Sequence, residues 1–353
     1  MAQNSNTILP IRRRDLILGA AGLVSTFAIG GRAKAQQAAR PLRIADTSAV
    51  HEMSVYAIPD FLPEGKYKAE QYNFGASGTS ILAAMMNGRC DAMSNANSYL
   101  VTARSEGASL VAVCGVAGKG QAICARTDKG IKTFEDLAGR KLATRSMTSS
   151  HVMMQIALRA VGIDPKKDCT ILDCGQPAGF TLMLENGDAD GGQIWEPFAS
   201  IAAARPNIQK LQLDRFFELT WRTHSSLFVT QKLIDEQPDV VRDLVAANIK
   251  AVEAVKTDRA RYMQIVAKRA GQPESVLAAA IDNCAPRPEM DTTMFYRMSD
   301  EMRSLGMIRN DVTREMDGAV NYTFVSELTG RSKESLGYVS YDDFKAGKKA
   351  QIQ

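Results

Sequence analysis

Three short stretches of this 353-residue chain carry residue types that could hold a small anion. The first is Gly75-Ala76-Ser77-Gly78-Thr79-Ser80, a run of small residues leading into an apolar helix over Ile81–Met86. The second, Arg145-Ser146-Met147-Thr148-Ser149-Ser150-His151, sets hydroxyls and one cation before a helix expected over Val152–Val161. Helix amino ends expose unpaired N–H groups and a partial positive charge, so such loops suit anions. The third is Trp195-Glu196-Pro197, after a short strand at Gly191–Ile194, and strand carboxyl ends are where open α/β sheets place ligands. Each stretch also has a plainer use: Ser77, Thr79, Thr148 or Ser149 as a helix cap, Arg145 as a solvated charge, Trp195 as core. Asp46-Thr47-Ser48 ends the first strand, and Asn95 and Asn97 close another. His224 has the chemistry of a ligand or a base, although a lone His in a crossing strand is more commonly a structural hydrogen-bonder. His51 and His151 lie near the same loops.

The elements that must position these groups repeat. Ile81–Asn97 and Leu182–Ala203 both read as helix, Asn-Gly turn, Asp and strand, with Asn87-Gly88-x-x-Asp91 echoed by Asn186-Gly187-x-x-Asp190. Two such units predict two similar α/β lobes with a cleft between them. Strands are expected at Pro41–Ala45, Tyr67–Phe74, Lys141–Thr144, Cys169–Leu172, Pro206–Leu213 and Phe216–Thr220, with a helix through Met53–Phe61. Leu110–Val116 and Ala122–Arg126, joined at Gly118-Lys119-Gly120, read as the first passage between lobes, and Leu227–Thr230 as the return. From Asp235 onward the pattern is helical, with Val241, Leu244, Val245, Asn248, Ile249, Val252 and Val255 on one face. Met294, Met298 and Met302 make the core face of a later helix. Residues 331–353 turn polar and Lys-rich and are expected to form a loosely attached tail.

Charge excludes one class of function. Arg12, Arg13, Arg14, Arg32 and Lys34 against Asp15 account for all of the formal +4, so the rest of the chain is formally neutral. There is no basic stripe with interleaved aromatics, and nucleic acid is not an expected partner. The Arg12-Arg13-Arg14-Asp15-Leu16-Ile17 run resembles the twin-arginine export motif, and a weakly apolar segment, Leu16–Gly30, follows it. Ala33-Lys34-Ala35 offers a small-x-small cleavage site, so residues 1–35 read as a signal peptide and the mature chain begins at Gln36. The apolar run falls short of the ~20 residues a spanning helix needs. The six cysteines include no C-x-x-C pair and the chain has only three His, so neither a metal site nor a cofactor is expected. The Gly75–Ser80 loop is not a Walker motif, because it lacks the Gly-Lys-Ser/Thr ending.

Phe134–Leu142 (FEDLAGRKL), the Ser146–Ser150 loop, and Gly187-x-x-Asp190 leading to Trp195-Glu196-Pro197 occur in an order that resembles a known family. It is the group of periplasmic solute-binding proteins of ABC importers that handle nitrate, sulfonates, taurine and thiamine-pyrimidine precursors. The resemblance, over roughly residues 41–328, implies a type II-like two-lobe α/β fold: two mixed sheets with flanking helices and a hinge of two crossovers. Lobe 1 would be residues 36–116 plus 227–330, and lobe 2 residues 117–226. The ligand-binding positions it implies are Asp46, Thr47, Ser48, Ser77, Thr79, Ser80, Asn95, Asn97, Ser146, Thr148, Ser149, Trp195 and Glu196, to which the residue reading adds Arg145 and His224. The implied partners are a small organic anion, a sulfonate or carboxylate with a flat or apolar body against Trp195, and separate permease and ATPase chains around a monomeric binding protein. Asp46 and Glu196 as an acidic pair would instead suit a ligand that also carries an amine, and nitrate or a pyrimidine is a further alternative. Some enzymes share the scaffold, but no Cys-rich motif of the pyrimidine-synthase type occurs, and Asp46–His51 lacks the Cys of the sulfinate desulfinases. A binder that turns nothing over is therefore expected.

Overall fold

The computed structural model describes residues 39–47, 49–74, 77–211 and 222–352. The signal expected at residues 1–35, Ser48 and the strand expected at Phe216–Thr220 lie outside these. Among the described residues there are eleven strands: β1 Arg40–Asp46, β2 Tyr67–Asn73, β3 Ala92–Ala96, β4 Leu110–Lys119, β5 Gln121–Arg126, β6 Lys141–Thr144, β7 Thr170–Asp173, β8 Gly191–Trp195, β9 Ile208–Lys210, β10 Ser225–Thr230 and β11 Cys284–Pro286. They build two mixed sheets, ordered β11-β4-β10-β3-β1-β2 and β7-β6-β8-β5-β9.

The two sheets share one plan. In the first, β2, β1 and β3 are parallel, and β10 enters antiparallel between β3 and β4. In the second, β7, β6 and β8 are parallel, and β5 enters antiparallel between β8 and β9. Each sheet thus receives one antiparallel strand from a chain segment that has just left the other, which is the hinge of two crossovers. β9 is an edge strand, as its Pro206-led sequence implies. β4 is buried along nine of its ten residues, which is why it reads as a continuous apolar run without alternation.

The repeated Asn-Gly-x-x-Asp pattern has a structural job in both sheets. Asp91 N–H donates to Arg43 O, while the Arg43 N–H and guanidinium donate back to its carboxylate at 2.8–3.1 Å. Asp190 N–H donates to Lys141 O, and its carboxylate accepts the Lys141 N–H at 3.0 Å and pairs with Lys129 at 2.9 Å. Each Asp therefore extends the ladder by one side chain where a parallel strand begins, and so sets the register of β3 on β1 and of β8 on β6.

Three apolar clusters pack these layers. The largest runs from β1, β3, β4 and β10 to the helix Ser149–Ala160. A second lies under Val50, Met53 and Tyr56, against the helices Pro238–Thr257, Arg259–Ala270 and Glu274–Asp282. The third covers the far face of β8 with Phe180, Leu184 and Ala199. The carboxyl-terminal residues correct the expectation of a loose tail. Leu336 and Val339 are buried, Thr292 Oγ1 donates to Gly337 O and Val339 O, Tyr296 Oη donates to Val339 O, and the rings of Tyr341 and Phe344 pack on Tyr296. The Lys-rich composition hid an apolar set that covers the helix Thr292–Ser304.

Candidate functional site

The loops singled out in the sequence converge on one cleft, lined by Thr47, Ala49, His51, Gly78, Asn95, Ala96, Tyr99, Gln121, Thr148, Ser149, Trp195 and His224. The first sheet supplies the ends of β1 and β3, the turn at His51 and the start of the helix Gly78–Met86. The second sheet supplies the start of β5, the end of β8 and the start of the helix Ser149–Ala160.

The two helix amino ends differ. Ser77 caps the helix Gly78–Met86, its Oγ accepting the Ser80 N–H at 3.4 Å, and it also meets the hydroxyls of Ser80 and Thr79. Those three hydroxyls satisfy one another outside the cleft, so only the Gly78 end of that loop lines it. Tyr99 explains the glycine: a Cβ at Gly78 would lie within 2.6 Å of the Tyr99 ring and hydroxyl. Thr148 precedes the helix Ser149–Ala160 without capping it; its Oγ1 is turned back and donates to Arg145 O at 2.7 Å. The first-turn N–H groups of that helix therefore keep no side-chain cap on the cleft side. Met147, just before it, holds φ at +60°, a conformation a bulky residue adopts only when the surroundings impose it.

Two imidazoles form the floor. The His51 and His224 rings lie 4.4 Å apart and tilted. Burial first, and then the neighbouring His224, hold His51 well below the usual histidine range; burial takes His224 down to about 3. Both are neutral at ordinary pH. Gln121 Nε2 lies 2.8 Å from His224 Nε2, while Gln121 Oε1 accepts from Ser150 Oγ at 2.7 Å. With its oxygen occupied as acceptor, the Gln121 amide must donate, which makes His224 Nε2 an acceptor and places the ring proton on Nδ1. Ser149 Oγ approaches the same Nε2 at 3.3 Å. His224 is tied to the first sheet by its backbone, through Ala117 O and the Asn97 N–H, so this network bridges both halves. His51 packs so closely on Gly120, at φ +81°, that a Cβ there would lie 2.7 Å from the His51 Cβ.

Trp195 lines the cleft and meets Phe198 edge-on at 5.6 Å. Glu196 does not share that wall, which corrects the expectation. Its buried carboxylate accepts from Lys210 Nζ, Asn283 Nδ2 and the Ser200 N–H, each at 3.0 Å, and it points to the opposite side of the chain from Trp195. Asp46 is buried at the end of β1 but does not line the cleft. Thr47 does, and its N–H and Oγ1 both donate to Glu52 Oε2 at 2.8 Å. Asn95 lines the cleft with its side chain held by Gly78 O and the Ala96 N–H. Asn97 instead ties Thr223 O to Ser226 Oγ, and Arg145 and Ser146 stand outside the lining, the Ser146 N–H donating to Asp173. Sequence reasoning missed Gln121, Tyr99 and Ala49. Among the described residues no group of His, Cys, Asp and Glu could hold a metal, and the cysteines are free thiols.

The comparisons agree with this architecture. A protein of Escherichia coli (strain K12) named for binding aliphatic sulfonates is 25% identical over 280 residues, 78% of this chain and 85% of the relative. The alkanesulfonate-binding protein of Xanthomonas axonopodis pv. citri, solved with MOPS bound, superposes with a TM-score of 0.65 at 20% identity, covering 80% of this chain and 98% of that one. The periplasmic nitrate-binding protein of Synechocystis PCC 6803 superposes with a TM-score of 0.68 at 13% identity, covering 86% and 92%. At these identities the two structures show a shared periplasmic-binding-protein fold. The family described as NMT1/THI5 like matches residues 71–260, more than half of the chain, and the chain belongs to the NMT1/THI5-like family.

Proposed function

We propose that this protein is the extracytoplasmic solute-binding component of an ABC uptake system and that its cleft captures a small organic anion, a sulfonate or carboxylate. The observation that carries this reading is the uncapped amino end of the helix Ser149–Ala160, which faces the Gly78 helix end across the cleft with Trp195 as a flat wall. Two sets of backbone donors from two sheets can clasp one anionic head, while the indole covers an apolar body. The relative named for aliphatic sulfonates supports the same class of ligand. Delivery to separate permease and ATPase chains completes the reading, with closure of the two halves as the recognised signal. Among the described residues no helix is long and apolar enough to cross a membrane. Export by the twin-arginine segment, with cleavage after Ala35, belongs to the same proposal.

An enzyme would need an activated nucleophile, and among the described residues of the cleft lining Ser149 beside His224 is the one such pair. It is poorly built for the task. The His224 Nε2 is already engaged by Gln121, and burial has removed most of the ring's basicity.

A thermal-shift screen of the chain from Gln36 against alkyl and aryl sulfonates, carboxylates, nitrate and pyrimidines tests the reading. Sulfonates are expected to raise the melting temperature by mass action, and Trp195→Ala is expected to weaken a hit with an apolar body by about tenfold or more. Conversion of a hit on prolonged incubation, or unchanged affinity in Trp195→Ala, would overturn it.

A further inference from the structure

The described residues that line the cleft include no Lys or Arg. An anion drawn into so buried a site meets N–H dipoles and two neutral rings, and its charge needs a partner. The two imidazoles supply one. We propose that the His51–His224 pair takes up one proton as the anion enters, so that the cleft is proton-coupled and selects singly charged anions. This rests on the organic-anion reading above.

The geometry assigns the roles. His224 is held as an acceptor at Nε2 by the Gln121 amide, which is itself fixed by Ser150. Protonating that nitrogen would set two donors against each other, so His224 is the positioning member. No protein acceptor or donor meets His51 Nδ1 among the described residues, and its ring touches both the cleft and His224. The proton comes from solvent and occupies the nitrogen that the neutral His51 ring leaves bare. The rings stand too close for both to be charged, which limits the pair to one proton and the ligand to one balanced charge.

Other ionisable groups stand on the surrounding elements. Glu52 shares the His51 turn, Asp46 ends β1, Lys119 ends β4, and Cys284 begins β11. Asp282 ends the helix packed behind the turn, Arg222 leads into His224, and His151 follows Ser150. None of these contributes to holding the two histidines neutral, which is the work of burial and of the rings' own proximity. Two groups compete for the role. Glu52 is protonated near neutral pH, and Arg145 stands near enough to Tyr99 to act on its hydroxyl.

The test is calorimetric titration of butanesulfonate, ionised throughout, into the mature chain from pH 5.5 to 8.5 in buffers of differing ionisation enthalpy. Uptake of about one proton per ligand is expected, with Kd rising up to about tenfold per pH unit where uptake is complete. His51→Asn is expected to abolish the uptake, and Glu52→Gln to retain it. Binding with zero uptake and a flat pH profile overturns the inference while leaving the organic-anion reading intact. Uptake that survives in His51→Asn overturns the assignment, as does zero uptake with binding lost in Arg145→Ala. If butanesulfonate binds at no pH, both the reading and the inference fall. The wild-type profile decides the main question even where a variant does not fold.

Discussion

Replacing Glu52 by Gln tests how the cleft lip is held. The carboxyl is fully buried, and burial first, then the nearby Asp46, raise it to about 8 from an ordinary 4.5, with the Thr47 hydrogen bonds working in the other direction. At about 1.4 kcal/mol per pH unit, that displacement corresponds to an upper figure of about 5 kcal/mol. The folded carboxyl keeps its proton up to about pH 8, whereas the unfolded one releases it near 4.5. The unfolded chain therefore binds fewer protons across this window. The contribution is complete below about 4.5 and is lost as the pH rises through about 8. Gln preserves an acceptor for the Thr47 N–H and Oγ1 and has no proton to lose. Urea unfolding of both proteins at pH 4.5, 6, 7, 8 and 9 should give midpoints that nearly coincide at the acid end. Towards pH 8 they should diverge, Glu52→Gln becoming the more stable by several kcal/mol. Curves that run parallel at every pH would show that Glu52 ionises normally in the fold and would refute the reasoning.

Gly120→Ala places a methyl against His51 at a φ of +81°, so it should lower both stability and sulfonate affinity, the former by about 1–3 kcal/mol, read from thermal shifts with and without ligand. Asp190→Ala removes the acceptor of the Lys141 N–H and the partner of Lys129; a loss of about 1–3 kcal/mol is expected from the stranded donor, and hydrogen exchange should show it first at β6 and β8. Ending the chain at Gly330 uncovers Tyr296 and the space filled by Leu336 and Val339, and should lower the melting temperature by several degrees or more.

Much of this architecture was legible because period and punctuation are local. β1, β2, β6 and β10 fall within a residue or two of the strands expected there, and the duplicated Asn-Gly-x-x-Asp turn predicted two similar lobes, which matches two sheets built on one plan. The site was harder to read, because side-chain direction depends on tertiary partners. Glu196 follows Trp195 at the end of a strand, where successive side chains point to opposite faces; that alternation alone could have turned it away from the cleft. Ser77, Thr79 and Ser80 offered three hydroxyls, but they bond one another. Gln121 gave one overlooked signal: a buried amide opening the apolar strand β5 directly after the crossover glycine. The carboxyl-terminal segment defeats a reading by composition because polar and charged residues dominate it, while its apolar residues are few but spaced to reach one helix.

The carboxylate of Glu196 lies on the dry side of the chain from Trp195, and its neighbours form a brace. Lys210 bonds both to it and to Ala279 O, and Asn283 bonds both to it and to Gln121 O. These contacts join the second sheet to the helix and strand that flank the first, on the side away from the entrance. If the halves part to admit a solute, as the proposed function requires, this brace would serve as the fulcrum, with the lips at Thr47 and Thr148 travelling further than the indole beside it. On the proposed function, Trp195 would then be the fixed wall of the site, and the lips would set how much of a solute is enclosed.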